Sequence, residues 1–183
     1  MTVSPARPGP AASYDRSSAN RFTPAVDSAL RTAGWAPGRW DIKQAEYWAD
    51  SLRGHTTPAG HRHAVFPAAV EAWAEFGGLT VRPSGTAGRQ IAPVALRVDP
   101  LTGLHLARTL ADLGRALSTE LAPLGVEVDG SAHLALDAHG RVYAVDHTGD
   151  WYLGATLDEA LTGLLTGLQP VRMTVGPADE PTA

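Results

Sequence analysis

The apolar spacing of this chain changes period at Gly77-Gly78, and that change constrains the fold more than any other feature. Before it, hydrophobic residues recur at helical intervals. After it, the clearest pattern alternates with the period of a strand. Helices, then strands, then a last helix predict an α+β layer architecture.

The spacing predicts a first helix over about 24–33. Thr23 suits its N-cap and Pro24 its first turn. Val26, Ala29, Leu30 and Ala33 fall on one stripe, Gly34 stops the helix, and Trp35 is expected to plug the core. A second helix starts after Asp41, buries Ile42, Ala45, Trp48, Ala49 and Leu52, and ends at Gly54. A third runs to Phe76 with Ala69, Val70, Trp73 and Phe76 inward.

Strands are expected over 79–81 and 92–98. Residues 102–121 read as one or two helical turns, with Leu106, Leu110, Leu113 and Leu117 on one side. The strongest β signal is a hairpin, 132–137 and 141–146, around Ala138-His139-Gly140. Gly140 supplies the positive φ that a short hairpin needs. Residues 151–153 read as a further strand. Thr156 and Glu159 match a capping box. The helix behind it carries a broad apolar face of Leu157, Ala160, Leu161, Leu164, Leu165 and Leu168, closed by Gly167 and Pro170.

Residues 1–20 and 174–183 are poor in apolar side chains and are expected to be disordered tails around a domain over 21–173. Deleting both should leave the thermal midpoint within about 4 °C. The 183 residues include no cysteine, which excludes disulfides, thiolate metal sites and a cysteine nucleophile. The opening residues lack a signal-peptide core and no apolar run reaches membrane-spanning length, so a cytoplasmic protein is expected.

The net charge of −4 gives no case for direct nucleic-acid binding. Its distribution is uneven. Residues 21–108 carry 10 basic and 7 acidic side chains, +3; residues 109–173 carry 3 and 9, −6. Such asymmetry points either to a charged partner or to acids that cap turns.

Catalytic patterns are sparse. His55, His61 and His63 share a loop, but no nearby acid completes a metal set. Asp137, Asp146 and Asp150 sit on or beside the hairpin, where turn capping explains them. No G-x-S-x-G or S-x-x-K motif occurs, and Gly85-Thr86-Ala87-Gly88-Arg89 lacks the P-loop ending. A non-enzymatic binding protein without cofactor is therefore expected. Tyr47, Trp48 and Trp151 do not all fit one buried stripe, which leaves aromatic side chains for an interface.

Arg21-Phe22 ahead of Ala33-Gly34-Trp35 resembles the opening of toxin-immunity proteins of the SUKH superfamily, family 3 type. Phe66-Pro67-Ala68-Ala69, Glu75-Phe76-Gly77-Gly78-Leu79, the segment LAPLG at 121–125, the run from Leu136 to Tyr143, and Asp158-Glu159-Ala160-Leu161 continue the resemblance in order. It covers about 21–171. The resemblance implies a twisted, mainly antiparallel sheet flanked by helices. It also implies a protein that neutralises a polymorphic toxin, typically a nuclease or nucleic-acid deaminase. No catalytic residues come with it, and Gly34, Trp35, Gly77, Gly78, Gly140 and Tyr143 read as structural.

Acids for steering and rings for anchoring meet at Asp146, Asp150, Trp151 and Tyr152, which is the expected toxin-binding face. The loop over 54–63 is the next candidate. An interaction domain with a non-toxin partner and a metal-dependent hydrolase are the alternatives.

Overall fold

The computed structural model describes residues 21–174. The expected tails lie, except for Thr174, outside the described residues. Three helices come first: α1 (Pro24–Thr32), α2 (Ile42–Gly54) and α3 (Pro67–Phe76). Pro24 and Pro67 occupy first-turn positions, where a missing N–H costs nothing. Asp41 caps α2 by accepting the Gln44 N–H at 3.1 Å. Thr23 stands at the α1 N-cap, but its hydroxyl makes no capping bond.

The strands follow as β1 (Thr80–Val81), β2 (Leu96–Arg97), β3 (Leu121–Glu127), β4 (His133–Asp137), β5 (Val142–Asp146), β6 (Gly149–Gly154) and β7 (Val171–Arg172). They form one seven-stranded sheet whose spatial order is the chain order, every pair antiparallel. A 3-10 helix (Pro100–Leu106) and α4 (Ala107–Ala116) lie between β2 and β3, and α5 (Leu157–Thr166) between β6 and β7. The α+β class and the antiparallel sheet expected from the sequence are both present.

The two sheet faces differ. Leu134, Leu136, Val142 and Ala144 face the main core, where they meet Leu30, Leu52, Trp73, Phe76 and Leu161. The register pairs Leu134 with Ala144 and Leu136 with Val142, so the alternation read from the hairpin holds. The opposite face carries Leu121, Ala135, Tyr143 and Val145, covered by Leu110 and Leu113 of α4 with Leu106 and Leu117 at the margin. The leucine stripe read over 102–121 thus belongs to a real helix, but one that covers the far face.

The structure departs from the sequence reading at β3, which lies mid-sheet although it contains Pro123 and Gly125. A bulge between these residues breaks the β4 register. The Pro123 carbonyl accepts the buried Trp73 indole N–H at 3.1 Å. A Cβ on Gly125 would lie 2.0 Å from the Arg97 carbonyl oxygen, so only glycine lets β2 approach. The strand expected over 92–98 pairs only at Leu96 and Arg97.

Candidate functional site

Two tight turns, β3–β4 and β5–β6, end the sheet on the same side. Glu127, Asp129, Asp146 and Asp150 belong to them or to their flanking strand ends. Asp129 accepts from the Ser131 N–H and hydroxyl, at 3.0 and 2.8 Å. Asp146 Oδ1 accepts from Thr148 N–H and hydroxyl, both at 2.6 Å, and from Gly149 N–H at 3.1 Å. None of the ion pairs among the described residues includes any of the four carboxylates.

Their electrostatics register the crowding. Burial pushes the Glu127 carboxyl above the usual range and Asp129 and Asp146 add to it, against the hydrogen bond from Ser131. Burial and then the Asp146 charge push Asp150 up as well. Burial also works against the Asp146 charge, but the hydrogen bonds from Thr148 and Gly149 outweigh it and hold that group below its ordinary value. Cations beside these turns include Arg172, whose guanidinium donates to the Thr148 carbonyl at 2.7 Å, and His147 when protonated.

Beside this acidic end, on the main-core face, runs an apolar groove of about 220 Å³. The sheet contributes Ala144, Trp151 and Leu153, the last turn of α5 contributes Leu164, the residues just after it contribute Leu168, and the loop before β2 contributes Ile91 and Val94. Glu127 and Asp146 are the charged residues of the lining. Ile91 and Leu168 are exposed large hydrophobic side chains. The loop is clamped to the helix end: Ile91 N–H bonds the Gly167 carbonyl at 3.0 Å and Val94 N–H the Leu164 carbonyl at 2.8 Å. Gly167 closes α5 at φ +69, and a Cβ there would lie 2.1 Å from the Ile91 oxygen, so the clamp depends on glycine.

The four residues expected at the binding face divide between the two faces, because neighbours on a strand point opposite ways. Asp146 and Trp151 border the groove. The Trp151 ring lies under the Arg172 guanidinium, 5.6 Å from its centroid, and its buried indole N–H has no hydrogen-bond partner among the described residues. Tyr152 packs on the α4 face, edge-on to Tyr143 at 5.8 Å. Asp150, directly before Trp151 and opposite Val145, points to that face too. Glu127 escaped the sequence reading because β3 did. The surplus width of the α5 apolar face was the available signal for Leu164 and Leu168.

A match to the SUKH-3 immunity proteins spans residues 22–167. The chain belongs to the SUKH-3 immunity protein family. No curated protein and no solved structure matches it. The SUKH-3 match takes in all the helices and every strand but β7. It starts beside an internal ion knot, in which Arg21 bridges Asp158 and Glu75, each at 2.5 Å. Burial opposes the Arg21 charge, but the hydrogen bonds to Asp158 and Glu75 outweigh it and hold the guanidinium above its ordinary pKa. The knot ties the chain ahead of α1 to α3 and α5.

The histidines of the 54–63 loop do not form a metal set; no group of three or more metal-ligating side chains occurs among the described residues. His63 is buried and its Nε2 lies 2.8 Å from the Leu104 carbonyl. Asp137 also stands apart, as the turn carboxylate of the β4–β5 hairpin. No described helix is long and apolar enough to cross a membrane.

Proposed function

We propose that this chain is a cytoplasmic, bacterial immunity protein that neutralises a polymorphic toxin, a nuclease or nucleic-acid deaminase, by stoichiometric occlusion without catalysis of its own. Membership of the SUKH-3 immunity family over residues 22–167 carries the reading. The acidic sheet end around Asp146 and Asp150, with Trp151 and Tyr152 beside it, supports the choice of toxin: enzymes acting on nucleic acid present basic surfaces to phosphates. Complementary charge speeds association and selects the partner.

Titrating the purified chain into the toxin domain encoded beside it should abolish toxin activity at one equivalent. Substoichiometric inactivation, or inactivation that needs added metal, would overturn the reading. Asp146→Asn and Asp150→Asn, made separately, should weaken toxin binding with the thermal midpoint retained; Trp151→Ala should weaken it too, with the midpoint measured alongside because the ring also packs on the main core. Unchanged affinity and unchanged salt dependence would move the interface to the 54–63 loop.

A further inference from the structure

We propose that the groove between the end of α5 and the β3–β6 end of the sheet is an anchor pocket for an arginine of a basic protein partner. The aliphatic stem would lie against Leu153 and Leu164, the guanidinium would meet Glu127 and Asp146, and Trp151 would offer its ring. This rests on the immunity reading and names the chemistry of the contact.

Four observations carry the assignment. The size comes first: about 220 Å³ is below the range of pockets that enclose a small-molecule ligand, and suits one long side chain. The lining is apolar except for two carboxylates and Gln169, which matches a side chain with an apolar stem and a cationic head. Neither carboxylate is ion-paired among the described residues, and the burial of Glu127 makes its charge costly until a cation arrives. Finally, the Trp151 ring already accepts one guanidinium, that of Arg172 across the β6–β7 pair, so the indole is placed for cation–π contact.

Rigidity adds to this. The Ile91 wall is held by backbone bonds from Arg89, Gln90 and Ile91 to the end of α5, and the Gln90 amide oxygen accepts the Gln169 N–H at 2.8 Å. A pocket shaped before binding spends little free energy on ordering when the partner arrives. Arginine is favoured over lysine because its planar fork serves two carboxylates while its face stacks on an indole.

The test has two arms, both on the full chain. In the first, the peptide amides acetyl-Leu-Arg-NH2 and acetyl-Leu-Gln-NH2 are titrated while backbone and indole NMR signals are followed. The arginine peptide should shift Ala144, Leu164 and the Trp151 indole N–H. The glutamine peptide should not, nor should the arginine peptide with Glu127→Gln/Asp146→Asn. In the second arm, Gln169→Trp fills the groove from an exposed position, and its affinity for the neighbouring toxin domain is measured alongside its thermal midpoint. A loss of tenfold or more at an unchanged midpoint is expected. Equal shifts from both peptides, or toxin affinity within twofold of wild type for Gln169→Trp, would overturn the anchor pocket even with neutralisation intact. Groove shifts from the arginine peptide, with no toxin neutralised by the wild-type chain, would instead overturn the immunity reading and leave the pocket to another basic partner.

Discussion

Asp137 is fully buried, yet four donors converge on its two oxygens: the N–H groups of His139 and Arg141 on one, the Arg141 guanidinium and the Tyr143 hydroxyl on the other. A carboxylate so placed holds the turn and one end of the hairpin together. Asp137→Ala strands those donors and should cost about 3 kcal/mol in urea unfolding; a loss below about 1 kcal/mol would mean that the donors find other partners. This role was legible, since an acid at a strand end before a glycine turn reads as a cap. Which of Tyr47 and Trp48 is buried follows only from α2 packing: Trp48 is inside and Tyr47 is 61% exposed. The histidines make a second residue-scale prediction. Burial first, and then the proximity of His105 to both rings and of His55 to His63, holds His63 and His133 below the usual 6.5, against the Leu104 contact in the case of His63. The unfolded chain then binds more protons than the folded one, so stability is present above about pH 6.5 and lost as pH falls through the depressed values. Unfolding midpoints between about pH 8 and pH 5 should decline on acidification, and His63→Gln should flatten that decline.

At the scale of elements, β3 separates what spacing reveals from what it hides. Proline and glycine in a run argue against a central strand, because one lacks a ladder donor and the other a side chain. Here both residues meet tertiary partners far away in sequence: the Pro123 carbonyl accepts the Trp73 indole N–H, and the Arg97 carbonyl fills the space a Gly125 side chain would need, and no local pattern contains either. Gly125→Ala should therefore detach β2 and lower stability by about 3 kcal/mol, within the usual range for overpacking. The check is early hydrogen exchange of the Val128 N–H, which bonds the Ala95 carbonyl next to β2. α5, by contrast, was readable from its capping box. Thr156 accepts the Glu159 N–H at 3.2 Å, and Glu159 reaches back to the Ala155 N–H at 2.9 Å, one residue beyond the usual reciprocal partner. Thr156→Ala should cost about 1 kcal/mol. The groove was only half legible: its helix side follows from periodicity, whereas Glu127 and Ile91 arrive through a strand and a loop with no regular pattern.

For the whole molecule, part of the charge imbalance between the two parts of the sequence becomes a spatial one, because the β3–β4 and β5–β6 turns gather four acids, Glu127, Asp129, Asp146 and Asp150, at one end of the sheet. Long-range attraction of that kind is screened within about 10 Å at 0.1 M salt. Association with a basic toxin should slow about tenfold between about 0.05 and 0.5 M salt while dissociation changes little, as stopped-flow mixing would measure. A salt-insensitive association rate would mean that the acids serve only their turns. The seven strands stand in space in the order in which they are synthesised. Each ladder therefore closes a loop only between neighbours along the chain, which keeps the entropy of closure small and favours rapid folding. A sheet of this kind can be laid down strand by strand as the ribosome delivers it, with no early strand waiting exposed for a distant mate.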